Sequence, residues 1–262
     1  MGDKLAPRPP VEVNGSVIRI GTSGWTYAPW RGVFYPKGLP HRRELEHLAA
    51  RLNSVEVNGT FYALQKPTNF QAWSAQTPED FVFAIKGSRF ITHMKRLRDP
   101  HDALSRFLNS GMLALGPKLG PFLWQLPPTL RFDPDLLTDF FAALPRSHED
   151  RPLRHALEVR HESFRDPAFL PLLEEHGIAL VIADTAHTFI ELEAVTADFA
   201  YLRLHGDEEL YTSGYTDESL DRWAAKIRGW ARTHDVYAYF DNDAKVMAPR
   251  DAQALKARLG LK

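Results

Sequence analysis

The sequence predicts an α/β protein folded as a single (β/α)8 TIM-like barrel, and three observations carry that expectation. Short segments alternate apolar and polar residues with the period of a strand: Val55 and Val57 against Ser54, Glu56 and Asn58, and Leu157 and Val159 against Glu158 and Arg160. The pattern returns with Leu202 and Leu204 against Arg203 and His205, and with Ala238 and Phe240 against Tyr239 and Asp241. Helix-like stretches separate these segments, the order that builds a parallel sheet covered by helices. Their polar phase then lines a shared interior open at one end, where such a barrel carries its active-site side chains. Finally, 262 residues with 44% hydrophobic content match the length of about 250 residues usual for one barrel.

Taken in order, residues 1–15 are polar and proline-rich, and read as a flexible tail before one domain over 16–262. The first strand, 17–21, runs into Gly21-Thr22-Ser23-Gly24-Trp25, a glycine-rich turn that admits close approach of a ligand. Trp25 replaces the last glycine of a G-x-S-x-G elbow, so a serine-hydrolase nucleophile is unsupported. Trp25, Tyr27, Trp30, Phe34 and Tyr35 follow in a loop that packs over the barrel mouth or stacks on a ligand. A helix over 42–52 leads to the strand at 54–58, and a second over 69–76 leads to the strand at 81–85, which ends at Lys86. The loop from Lys86 to Arg98 is dense in basic residues: a solvated face or an anion cradle.

A helix over 102–115 precedes the fourth strand, 122–126, which carries Gln125 and stops at Pro127-Pro128. Helix 134–144, a polar loop over 145–152, strand 155–160 and helix 167–176 with Gly177 as its stop come next. The unbroken apolar run 179–183 suits a strand buried on both faces, and Asp184 ends it. Residues 185–195 read as irregular or a weak strand. Strand 199–204, helix 219–233 with a Thr216 or Asp217 cap, strand 236–240 and helix 244–259 complete eight strands.

Net charge of -1 gives no global field toward polyanions, which leaves nucleic acid weakly supported as a partner. The absence of cysteine excludes disulfides, thiolate metal sites and a cysteine nucleophile. No apolar run reaches the roughly 20 residues that span a bilayer, so the expectation is a soluble cytoplasmic protein with no membrane partner.

Ile20-Gly-Thr-Ser-Gly-Trp25, Ser54-Val-Glu-Val-Asn58 with Phe61-Tyr62, Glu158-Val-Arg-His161, Arg203-Leu-His-Gly206 and Phe240-Asp-Asn-Asp243 together resemble the YecE-like family, known as domain of unknown function 72. The resemblance covers nearly the whole chain after the tail and implies a TIM barrel. That family's similarity to apurinic endonuclease-like barrels suggests nucleic-acid or phosphoester chemistry by analogy of fold. The sequence departs from the pattern at Phe164, where Trp is expected, and at Asp241, where Asn is usual; the latter adds a carboxylate.

The strand ends therefore nominate a polar mouth. Glu56, Glu158, His205 and Asp241 are the catalytic candidates, the two glutamates as general acids or bases and the histidine as a proton shuttle. Trp25, Asn58, Lys86, Gln125, Arg160, His161, Asp184, Arg203, Tyr239 and Asn242 are the candidates to bind a small anionic or polyhydroxylated ligand. Among them Lys86, Arg160 and Arg203 suit phosphate or carboxylate oxygens. One divalent ion, Mg, Mn or Zn, is compatible with these acids and histidines, although no close ligand spacing marks it. A structural ion-pair network that satisfies only its own members is the competing account. Phosphoester hydrolysis leads as the reaction. A metal-free carbohydrate isomerase, lyase or glycosidase using Glu56 and Glu158 with stacking from Trp25 and Trp124, and a non-catalytic nucleic-acid-binding module, are the alternatives.

Overall fold

Eight parallel strands close into a barrel in the computed structural model, which describes residues 12–13, 15–148 and 151–261. They are β1 (Ser16–Ser23), β2 (Ser54–Val57), β3 (Val82–Lys86), β4 (Leu119–Gln125), β5 (His155–Glu158), β6 (Ala179–Asp184), β7 (Phe199–Leu204) and β8 (Asp235–Phe240). Each pairs with the next, and β8 returns to β1 from Val236↔Ile18 to Phe240↔Thr22, which removes the sheet edges.

Helices α1 (Glu44–Ala49), α2 (Gly59–Tyr62), α3 (Pro67–Ala75), α4 (His101–Leu108), α5 (Pro134–Ala143), α6 (Phe169–His176), α7 (Asp217–Trp230) and α8 (Met247–Arg258) surround it. Thr216 caps α7 by accepting from the Ser219 N–H, and Gly177 ends α6 at φ 62°. The β6 to β7 connection contains no helix among the described residues, in keeping with its weak periodicity. No helix among the described residues is long and apolar enough to cross a membrane.

Two buried zones follow from strand alternation. The outward phase, including Val55, Val57, Phe122, Trp124 and Leu202, packs under the helices, where Leu48, Phe107 and Phe140 meet it. The inward phase fills the barrel with Ala84, Leu123, Ala156, Val181, Tyr201 and Tyr239, and carries the polar side chains above them.

Several expected boundaries shift for identifiable reasons. The helix expected over 102–115 ends at Leu108, because Gly111 adopts φ 111° and passes so close to Pro67 that a Cβ there would lie 2.6 Å from its Cα. A 3-10 segment, Met112–Lys118, replaces its second half. The last helix starts at Met247 rather than 244, since Val246 sits at φ 60°. Within the loop over 145–152, Ser147–His148 and Arg151–Pro152 form a small antiparallel ladder. The expected tail over 1–15 falls mostly outside the described residues. Within it, Glu12–Val13 pair antiparallel with the start of β1.

Candidate active site

Alternation decides which candidates meet. On β7, Tyr201 and Arg203 belong to the inward phase; His205 continues it just beyond the strand, and Arg203 is completely buried at the centre of the mouth. Its guanidinium donates to Glu56 through Nε at 3.1 Å and Nη2 at 2.9 Å. It also donates to Glu158 Oε2 at 2.7 Å, to Asp241 Oδ2 at 2.8 Å and to Ser23 Oγ at 2.9 Å. Three strands, β1, β2 and β5, and the residue just past the end of β8 thus deliver groups to one cation. Such a cation is stable in the interior only because its donors are satisfied.

The partners are themselves held. Glu56 accepts further from the Ser23 hydroxyl and, at 2.7 Å, from the Tyr201 hydroxyl. Asn58 Nδ2 donates to Ser23 Oγ at 2.8 Å. Arg160 donates to Glu158 Oε1 at 2.8 Å and to the Tyr211 hydroxyl at 3.2 Å, and its guanidinium lies over the Phe189 ring. Burial pushes the Glu158 carboxyl up, but Arg160 and Arg203 outweigh it and hold the group well below the carboxylate range. Asp241 behaves alike, with Arg203 and then His205 opposing burial.

Above this network the mouth is less satisfied. His205 is fully buried, with Nδ1 3.2 Å from Asp241 Oδ2 and Nε2 4.0 Å from Glu158 Oε1, and neither nitrogen makes a well-directed hydrogen bond among the described residues. Lys86 is 9% exposed, and its Nζ lies 4.5 Å over the Phe61 ring. Among the described residues no carboxylate comes within 4.0 Å of that ammonium. Burial, and then Arg203, lower its pKa to about 8. His93 packs edge-on against Phe61, and burial followed by Lys86 and Arg160 lowers its pKa. At the rim burial and Asp241 raise the Asp243 carboxyl to about 6.

The other candidates fall elsewhere. Gln125 is on the inward phase of β4, paired in register with Glu158. Tyr239 is inward but a level lower, fully buried, with its hydroxyl 2.7 Å from Ser54 Oγ, so it forms the floor rather than a ligand contact. Asp184 shares the outward phase of Leu180 and Ile182, and therefore faces a separate cleft with Trp223 and Lys226. Asn242 continues the outward phase of Phe240 and holds Ser213 O and Asp251 Oδ2, each at 2.8 Å. His161 has left the strand; its Nδ1 caps the turn Glu162–Arg165 by accepting from the Ser163 N–H. Trp124 packs outward on Phe107 and Phe140 and is no stacking platform. Trp25 lines a side groove with Tyr62 and Trp73.

Sequence reasoning passed over Ser23, Tyr201, Tyr211, His93 and Asp243 as members of the site. Ser23 and Tyr201 were legible by the same alternation; Tyr211 and His93 lie on long loops without periodicity. Of the basic loop, Lys86 and His93 face the mouth, whereas Arg96 turns away to donate to Thr129 O at 2.9 Å. Among the described residues no group of three or more His, Asp or Glu side chains is arranged to hold a metal ion. The carboxylates that could ligate one, Glu56, Glu158 and Asp241, are turned onto Arg203.

Comparison with known proteins agrees with this architecture. The family model "Protein of unknown function DUF72" matches residues 19–262. The chain belongs to this family. Within DUF72, it is 27% identical to the UPF0759 protein YecE of Escherichia coli K12 over 89% of each chain. It is 24% identical to the UPF0759 protein YunF of Bacillus subtilis, covering 87% of this chain and 89% of that protein. The crystal structure of a DUF72 protein from Thermotoga maritima superimposes with a TM-score of 0.82 at 27% identity, covering 93% of this chain and 99% of the other. The match runs over residues 19–262 and so includes every residue of the Arg203 cluster.

Proposed function

We propose that this DUF72 barrel is an enzyme acting on a small phosphate-containing substrate at its C-terminal mouth, with phosphoester hydrolysis as the reaction. Lys86 carries the reading: a nearly buried ammonium, beside Arg160 and His93, with no carboxylate partner among the described residues. A buried charge needs a counter-charge, and phosphate oxygens would supply it. The ammonium neutralises one oxygen and Arg160, already oriented by Glu158 and Tyr211, fixes the direction of approach.

The proton path uses groups that the Arg203 network leaves open. His205, with Nδ1 turned to Asp241, takes a proton from the attacking water at Nε2 as the water oxygen bonds to phosphorus. The ester P–O bond breaks, and Asp243, whose carboxyl is raised to about 6, gives its proton to the departing alcohol oxygen. Glu56 and Glu158 serve as anchors for the two arginines in this scheme. A glycosidase is disfavoured, because Glu158, held ionised by Arg160 and Arg203, is unsuited to protonate a leaving group.

Turnover of a panel of phosphomonoesters and phosphodiesters tests the reading, with and without added magnesium or manganese. Hydrolysis abolished in Lys86→Met supports it. No turnover of any ester, together with no thermal stabilisation by inorganic phosphate, sinks it.

A further inference from the structure

A groove of about 380 Å³ opens beside the mouth, lined by Trp25, Tyr27, Asn58, Tyr62, Gln65 and Trp73 among others. Its walls are aromatic and set in advance. Trp25 meets Trp73 edge to face at 5.1 Å, and the carbonyl of Trp25 is held by the Tyr35 hydroxyl. Trp73 rests in turn on buried Phe70 at 5.1 Å. Tyr62 is 71% exposed, a large apolar ring left in water at the groove edge.

The groove and the mouth share a wall. The Phe61 ring, which lies under the Lys86 ammonium at 4.5 Å, meets the Tyr62 ring at 5.0 Å, so one aromatic side chain separates cation from groove. Asn58 joins them on the other side. Its Nδ2 is committed to Ser23 in the Arg203 network, while its Oδ1 has no donor among the described residues despite being buried.

We infer that this groove is a subsite for a planar heteroaromatic ring carried by the same substrate whose phosphate sits at Lys86 and Arg160, which makes a nucleoside monophosphate the ligand class. The deduction rests on the anion reading of the mouth. A flat ring gains from aromatic walls whatever its sequence of atoms, since every base has a π-face. A ring N–H is the donor that Asn58 Oδ1 lacks. A sugar ring offers only small C–H patches between its hydroxyls, less flat surface for Trp25 and Trp73 than a heteroaromatic ring.

The test is calorimetric titration of the full chain with adenosine 5'-monophosphate, ribose 5-phosphate and inorganic phosphate, repeated on Tyr62→Ala and Asn58→Ala. Tyr62 is exposed enough that its truncation leaves the fold intact. The nucleotide is expected to bind at least about tenfold tighter than ribose 5-phosphate. Tyr62→Ala should remove most of that preference and leave phosphate affinity unchanged. Equal affinity of the nucleotide and ribose 5-phosphate, or a preference untouched by both variants, overturns the inference; tighter binding of ribose 5-phosphate assigns the groove to a sugar and overturns it as well. Adenosine without phosphate separates the two readings. If it quenches the tryptophan fluorescence of the chain in a way that Tyr62→Ala abolishes, while phosphate does not bind, the groove stands and the mouth assignment fails.

Discussion

Replacing Arg203 by methionine removes the group on which three carboxylates converge. The consequences differ for each of them. Glu158 keeps Arg160, and Asp241 is 15% exposed and can take water, but Glu56 is left wholly buried with only the Ser23 and Tyr201 hydroxyls. Stranding one buried charge costs about 3–5 kcal/mol. For a chain of this size that corresponds to a fall in melting temperature of roughly 6–20 °C. Thermal denaturation at pH 7 measures it, and Arg203→Met/Glu56→Gln should regain at least about 1 kcal/mol, because an amide replaces the stranded charge. The deficit should also narrow as pH falls from 7 toward about 4. In the parent chain Glu158 and Asp241 are held below their unfolded values, so their stabilisation is full above about pH 4 and is lost only in stronger acid. Without Arg203 the largest opposition to burial at Asp241 is gone and its carboxyl rises, while Glu158 keeps Arg160, so protonation of Asp241 relieves the variant first. A loss under about 2 °C with no dependence on pH would refute the account of Arg203 as the centre of the mouth.

Three further outcomes follow from particular contacts. Phosphate affinity should weaken as pH rises through about 8, where Lys86 loses its proton, and this dependence should vanish in Lys86→Met; titration calorimetry between pH 6 and 9 reads both. Gly87→Ala should destabilise the barrel by about 1–3 kcal/mol in urea unfolding, because its Cβ would lie 2.3 Å from the Trp124 ring, which is packed on all sides. Asn242→Ala should cost about 1–3 kcal/mol, because Ser213 O loses this donor and buried Asp251 Oδ2 keeps only the Tyr215 N–H among the described residues, while leaving phosphate affinity unchanged, since Asn242 faces away from the mouth; a loss of affinity instead would place it in the site.

Much of this is legible in the sequence. Period-2 alternation placed Glu56, Glu158, Arg203, His205 and Asp241 together because parity along a strand is a local property, and a closed parallel sheet turns equal parity into a shared interior. The same rule, applied strictly, separates Asp184 and Asn242 from that set: each lies an odd number of residues from an inward neighbour, and both point outward. Their appeal came from standing at strand ends, which is position without direction. Trp124 misled likewise, being an aromatic of outward parity beside Gln125.

The sequence by itself determined the class of fold, the number of strands, the family and the chemical types gathered at one end of the barrel, because hydrophobic periodicity and residue identity are written locally. Only the tertiary structure decided how the charges cancel. It turns both glutamates onto Arg203, leaves Lys86 without a carboxylate among the described residues, and brings Tyr211 and His93 in from loops that carry no pattern. Electrostatic partners are chosen by distance across strands far apart in the chain, and distance of that kind is absent from a linear pattern.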